Sequence, residues 1–276
     1  MKVKYILFSI FFSLFAFSCS REEEESVKLE ENYPLLMKLD SRILDLSAPI
    51  ILPDYNFYFE YNDQKLTKKI GGYVPTAAST GVGGVFSTKV FTSLVYQDNK
   101  VTVEDFSNTS EFTILKNSKY FTLNNSNKII QKEIPDRTST YWYKKQSFIY
   151  KNEYLDEIKT TLPNMPFDPN DPNDYVVTFS EKFYFDNSGN LVKTEYFEQH
   201  NGINTENKIV RIFSDYDSSL NPFKRFTLLD EYFYRSLSKN NFRDYKEYDY
   251  HYSNIPNVNT RNWTFNYDAK GNIILN

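Results

Sequence analysis

The chain has 276 residues, with 36 acidic against 32 basic side chains and a formal charge of −4. That balance argues against nucleic acid as a partner, because neutralising phosphates needs concentrated Lys and Arg. A single cysteine rules out disulfides within the chain, so a domain this long must be held by its apolar core.

Lys2 and Lys4 form a short basic opening, and residues 6–17 follow as an apolar run broken only by Ser9 and Ser13. The run is too short to span a bilayer as a helix, and Ala16 and Ser18 place small residues three and one positions before Cys19. This is the layout of a secretory signal. Leu14-Phe15-Ala16-Phe17-Ser18-Cys19 resembles the looser lipobox of Bacteroidota lipoproteins. The resemblance implies removal of residues 1–18 and acylation of Cys19, by two or three chains where one would hold only weakly. Residues 19–32 then read as a tether: Glu22, Glu23, Glu24 and Glu25 repel one another and stay solvated. This acidic block resembles the surface-export signal of the same lipoproteins, which implies an outer-membrane anchor with the protein facing the cell exterior.

Residues 33–276 read as a single domain. Leu35, Leu36, Leu39, Ile43 and Leu46 fall at helical spacing, ended by Pro49 and Pro53. From residue 55 the pattern changes to period-two alternation. The runs are 55–61, 65–70, 85–96, 100–106, 111–115, 119–123, 128–134, 140–150, 155–162, 175–185, 191–199, 209–216, 242–252, 261–267 and 273–275. Short alternating runs parted by Asn, Asp, Gly and Ser predict antiparallel hairpins.

A loose repeat underlies them. Tyr61 and Leu66, Tyr96 and Val101, and Tyr150 and Leu155 each set an aromatic five places before an aliphatic across a polar turn. Phe185 and Leu191, and Tyr267 and Ile273, stretch this to six, with Gly189 and Gly271 free to take positive φ. These units resemble the YD-type hairpins of many Bacteroidota lipoproteins. Tyr216-Asp217-Ser218-Ser219-Leu220-Asn221-Pro222-Phe223, followed by Ser238, Lys239, Asn240 and Asn241, resembles a C-terminal pattern of uncharacterised lipoproteins of that phylum whose β domain is porin-like. The resemblance implies a fold and an address, not a reaction. Between the two halves of the pattern, residues 226–237 predict a short helix with Leu229, Phe233 and Leu237 on one side. The last hairpin, 261–275, is expected to close the sheet and shield an edge.

Candidate chemistry is sparse. His200 and His251 lie far apart without spacing-matched partners, unlike a metal site or a triad. Asp168, Asp171 and Asp174 offer the oxygen ligands that Ca²⁺ prefers, although Pro163, Pro166, Pro169 and Pro172 make an exposed hairpin connection the competing reading. Gly71, Gly72, Gly81, Gly83 and Gly84 lack the following helix of a phosphate loop and read as a flexible loop between strands. No cofactor motif and no catalytic constellation stands out, so no catalytic residue is named; a hydrolase with two unlocated carboxylates stays open. Aromatics such as Tyr141, Trp142 and Tyr143, placed on both faces of a strand, could stack on sugars or anchor a protein.

The expected architecture is all-β: an antiparallel meander of hairpins, twisted or partly rolled, with one or two short helices. The expected role is non-enzymatic binding of a ligand or partner at the envelope, with a glycan one candidate. The alternative is a structural or assembly subunit docked to an outer-membrane protein.

Overall fold

Fourteen strands follow one another in sequence and in space, each hydrogen-bonded to the next in antiparallel register. They are β1 (Lys38–Asp40), β2 (Asn56–Asn62), β3 (Lys65–Ala78), β4 (Gly81–Gln97), β5 (Lys100–Ser107), β6 (Ser118–Leu123) and β7 (Ile129–Ile134). The second half contains β8 (Lys144–Lys151), β9 (Tyr154–Thr161), β10 (Val177–Phe185), β11 (Leu191–His200), β12 (Ile203–Tyr216), β13 (Phe242–Asp249) and β14 (Asn257–Asn262). A computed structural model of the chain describes residues 33, 35–40, 56–78, 81–110, 114, 117–136, 138–251 and 253–274, with the backbone alone at 75–78 and 81–84. Cys19, the four glutamates of the tether and the run 111–115 except Ile114 lie outside the described residues.

The hairpins follow from the turn chemistry. Asp63 and Gln64 (φ 45° and 63°), Asn152 and Glu153 (φ 48° and 68°), and Asn201 and Gly202 (φ 52° and 79°) each place two successive residues at positive φ. Two-residue turns of this hand match the twist of the flanking strands. The Asn201-Gly202 turn also explains why β12 begins at Ile203 and not at 209: the polar stretch 203–208 is strand, paired with the end of β11.

Between β12 and β13 the chain leaves the sheet. Residues 217–241 form two 3₁₀ turns, Pro222–Phe226 and Asp230–Tyr232, and one helix, α1 (Phe233–Leu237). This excursion is a plug on the inner face of the sheet. Phe226 lies 4.5 Å from Phe59 on β2, and Tyr234 lies 5.6 Å from Phe213 on β12. Ten inter-strand spacings would separate β2 from β12 by roughly 48 Å in a flat sheet. A segment nine residues long, 226–234, touches both, so the sheet is rolled around it. It does not close, and β1 and β14 are its edges. Phe223, Phe226, Leu229 and Tyr232 are buried with Leu39, Leu66, Val101, Phe121, Leu191 and Phe242 in one core.

The C-terminal pattern noted in the sequence is the neck of this plug. Asn221, fully buried, donates through Nδ2 to the carbonyls of Arg235 and Ser238 at 2.7 and 2.8 Å. Asp217 accepts from the Asn241 amide nitrogen at 3.0 Å, and Ser238 Oγ accepts from the Leu191 amide at 3.1 Å. These bonds fasten both ends of the excursion, so the polar residues of that pattern are structural.

Several expectations need correction. Lys38–Asp40 is a strand, not helix: Leu39 pairs with Phe57 and is completely buried, so the sheet overrides the local period. The rest of the expected first helix, 41–46, lies outside the described residues. The second helix is shorter than 226–237, since α1 spans only its last turn. Gly71, Gly72, Gly81, Gly83 and Gly84 belong to strands and not to a loop. Gly71 is required there: its φ is +109°, and a Cβ would sit 2.5 Å from the Phe86 ring. Residues 140–142 form a 3₁₀ turn before β8. Finally, β15 (Asn266–Tyr267) and β16 (Ile273–Ile274) form a separate two-stranded ribbon and leave β14 as an open edge.

Candidate functional site between the sheet and the plug

The inner face of the sheet changes character along its strands. Near the hairpin turns it is apolar, with Leu66, Val101, Phe121, Leu155, Phe183 and Phe213 buried against the plug. A few residues further along the same strands, the inward positions become polar and fall into register. Lys69 pairs with Thr92 and Thr92 with Asp105, across β3, β4 and β5. Lys132 pairs with Gln146 and Gln146 with Thr160, across β7, β8 and β9. Arg211 pairs with Glu247 across β12 and β13. On β5, β8 and β12 the period of two that puts Val101, Phe148 and Phe213 inward also puts Asp105, Gln146 and Arg211 inward. On β3 and β7 a bulge after Leu66 and after Ile129 shifts the count by one, so Lys69 and Lys132, three places on, share the inner face.

The plug answers the belt with two carboxylates. Asp230 accepts from Lys132 Nζ at 2.5 Å and pairs with Lys119 Nζ at 2.8 Å, while Glu231 pairs with Lys69. Lys132 is nearly enclosed, its side chain 9% exposed, whereas Asp230 stands at the mouth with its side chain 45% exposed. Burial alone would push the Asp230 carboxyl up; Lys132 and Lys119 outweigh it and hold that group below its ordinary value. For Lys132 burial wins and lowers the ammonium, opposed by Asp230. For Lys119, burial is outweighed by Asp230, Glu231 and Asp105, and its value rises.

A second cluster lies at the far end of the belt. Arg211 donates through Nη1 to Glu181 Oε1 at 3.0 Å and through Nε to Glu247 Oε2 at 2.9 Å. Tyr234 and Tyr245 donate to the same two oxygens, at 2.9 and 2.7 Å. Burial first, then the neighbouring carboxylates, push both phenols well above their ordinary value.

Two cavities lie between the belt and the plug. One, about 260 Å³, is bounded by Phe57, Lys69, Thr92, Asp105, Lys119 and Glu231. The other, about 270 Å³, lies against Lys132, Gln146, Phe148, Glu181, Phe233 and Tyr234. Asp230 borders both.

The residues singled out from sequence lie elsewhere. Asp168, Asp171 and Asp174 form an exposed turn chain in the β9–β10 connection. Asp168 Oδ1 accepts from the Asn170 amide, Asp171 Oδ1 from the Asn173 amide, and Asp174 Oδ2 from the Asp168 amide. Among the described residues, no three His, Cys, Asp or Glu side chains meet in an arrangement able to hold a metal. His200 stacks on Tyr175 at 3.6 Å and contacts Glu198 at 2.7 Å; His251 contacts Asp249. Tyr141 and Trp142 are exposed, while Tyr143 bonds Glu133. Charged residues at inward strand positions were the signal that sequence reading passed over: Lys69, Lys132, Glu181 and Arg211 interrupt otherwise apolar rows.

No family model and no curated protein matches this chain. Among solved structures, a porin-like protein from Bacteroides uniformis ATCC 8492 is similar over 79% of this chain and 80% of its own, at 13% identity and a TM-score of 0.46. A porin-like protein from Bacteroides vulgatus ATCC 8482 is similar over 80% and 85%, at 13% identity and a TM-score of 0.39.

Proposed function

We propose that this is a non-enzymatic lipoprotein of the cell envelope that binds a small ligand in the cleft between its sheet and its plug. The observation that carries the reading is the pair of cavities, each with an apolar wall from the core and a polar wall from the belt. Such mixed lining is typical of small-molecule sites. Glu181 and Glu247 do face each other, but the Arg211 guanidinium occupies the space between them, where a scissile bond would have to sit. The envelope address rests on the signal layout and Cys19, and outward display on Glu22, Glu23, Glu24 and Glu25. Mass spectrometry of membrane-extracted protein should find an acylated N-terminus at Cys19, and protease added to intact cells should reach the domain.

Hydrogen exchange on the purified mature protein, screened against a small-molecule library, tests the binding site. Protection on β7 to β10 and on residues 227–234 supports the cleft; hits that protect only the outer face overturn it.

A second reading, docking to an outer-membrane protein, is favoured by one feature of the outer face. Tyr58, Ile70, Phe91 and Phe106 stand in register across β2 to β5 as a partly exposed apolar row. Crosslinking from position 106 in intact envelopes would capture a barrel protein on that reading.

A further inference from the structure

We propose that the cavity beside Glu181 holds a single neutral sugar ring, with Glu181 and Gln146 accepting from its hydroxyls and Lys132 donating to it; this rests on the cleft being a binding site. The walls divide by chemistry. Ile129, Phe148, Ile158 and Phe233 give one apolar side, with the Phe148 and Phe233 rings edge to face at 6.1 Å. Lys132, Gln146 and Glu181 give the other. A pyranose has the same division, a C–H face that packs on aromatic rings and a hydroxyl edge that needs hydrogen bonds.

The polar side is incompletely used by the protein itself. Glu181 is nine-tenths buried. Its Oε1 takes both the Arg211 and the Tyr234 donors, and its Oε2 has no hydrogen-bond partner among the described residues. Gln146 donates through Nε2 to Thr160 Oγ1 at 3.1 Å, and its Oε1 is likewise without a partner among the described residues. Lys132 Nζ has three donors and gives one to Asp230. Two acceptors and a donor therefore border one space, and both acceptor oxygens are open to it, free to take a hydroxyl donor from a ligand.

Charge decides the class. The charges around this space cancel as a set, Lys132, Lys119 and Arg211 against Asp230, Glu181 and Glu247. A uronate, a sugar phosphate or an amine would bring an unmatched charge into this enclosed place, and a neutral ring would not. Size decides the length: about 270 Å³ is near the low end for small-molecule sites and takes one ring, not a chain.

Calorimetry and hydrogen exchange on the mature full-length protein test this with the methyl glycosides of glucose, galactose, mannose and N-acetylglucosamine. Glucuronate, glucose 6-phosphate and glucosamine form the charged arms. At millimolar concentration, at least one neutral glycoside should bind and protect β8 and β10. Glu181→Gln, which keeps the side chain's volume, should weaken that binding about tenfold or more. Gln146→Leu tests the same site from another strand should Glu181→Gln not fold. Preference for a charged arm, with protection on the same strands, overturns the neutral-sugar class and leaves the cleft reading standing. Neutral binding indifferent to the folded variants overturns this placement. No protection of the cleft strands by any of the seven probes overturns the sugar proposal, and a blank from the wider library as well removes the cleft reading.

Discussion

The Tyr150 hydroxyl, at the end of β8, donates to the main-chain carbonyl of Ile129, at the start of β7, over 2.9 Å. The step recurs from Tyr61 to Leu36, from Tyr96 to Leu66 and from Tyr216 to Leu191. Leu66 and Leu191 are themselves the aliphatic members of the turn repeat, so the tyrosine of one hairpin fastens onto the aliphatic of the hairpin before it. Tyr150→Phe keeps the ring and removes only the hydroxyl. It should cost about 1 kcal/mol in urea unfolding, the ordinary net value of one such bond. Tyr58→Phe, at an exposed outer position, should cost nothing measurable.

The same tyrosines set an alkaline limit. Burial pushes Tyr96 and Tyr150 up to about 12. An unfolded chain ionises its phenols near 10, so between about 10 and 12 it sheds protons that the folded chain keeps. Stability from these residues is therefore full below pH 10 and is lost as the pH rises through 12. The double variant Tyr96→Phe, Tyr150→Phe should show a shallower fall of its urea midpoint across that window.

Asp230 neutralises Lys132 and Lys119 at the mouth of the cleft. Asp230→Asn should leave the enclosed Lys132 unmatched and cost about 1–2 kcal/mol, less than for a sealed pair because Asp230 is 45% exposed. The folded-state value of this carboxyl is depressed. Its contribution is thus present above the ordinary carboxyl value and lost as the pH falls through the folded one. Acid titration of the unfolding midpoint should accordingly be flatter for the variant than for the parent.

Much of the meander was legible because each turn announces itself. Asp, Asn and Gly at positive φ, with alternation on either side, place the strand ends at turns such as 63–64, 98, 152–153 and 189 within a residue or two. Ends away from them were missed: the run 65–70 continues to Ala78, 85–96 begins at Gly81 and 242–252 stops at Asp249. Asn201-Gly202 carries the same signal and was passed over because polar residues 203–208 masked the strand behind it. The first helix failed for a different reason. Leu35, Leu36 and Leu39 satisfy a helical period, yet Leu39 gains more from complete burial beside Phe57 than three residues gain from a helical turn. The cleft was legible only as charged residues interrupting apolar rows, with nothing to say that they meet. Lys69, Lys132, Glu181 and Arg211 are each ordinary in a solvated strand, and only the roll of the sheet turns them toward one another.

Arg235 is a buried cation with no ion-pair partner among the described residues, Asp217 acting on it only from a distance. Its guanidinium lies 3.8 Å from the Phe242 ring and 4.4 Å from Trp263, and it donates through Nη1 to the Phe242 carbonyl at 2.9 Å. Its Nε and Nη2 find no hydrogen-bond partner among the described residues. Burial pulls this group well below the ordinary arginine value. Arg235→Met should fill the same aromatic box without a desolvated charge and stay within about 1 kcal/mol of the parent. Arg235→Lys keeps the charge but loses the flat stack and should be the less stable of the two. Urea midpoints in the reverse order would show that stacking is not what tolerates this cation.

The plug is the core of the fold, and the outer row is not, which two substitutions of the same residue type can separate. Phe226 is completely buried and touches Phe59, Phe223 and Tyr232, at 4.5, 5.8 and 5.4 Å. Phe106 lies on the outer face, 37% exposed, stacked on Phe91 at 5.4 Å. Phe226→Ala removes buried surface and leaves a cavity that the rolled sheet cannot collapse, since strands on both sides are held in register. It should cost about 3–5 kcal/mol. Phe106→Ala removes one half-solvated stack and should cost about 1 kcal/mol or less. The rolled sheet needs the plug because a single layer has no second surface to bury its inner face against. Phe226→Ala should therefore also raise hydrogen exchange along the inner strands from β2 to β12, whereas Phe106→Ala should change it only near β4 and β5. Equal costs for the two variants, with exchange raised only within 217–241, would show that the sheet stands without its plug.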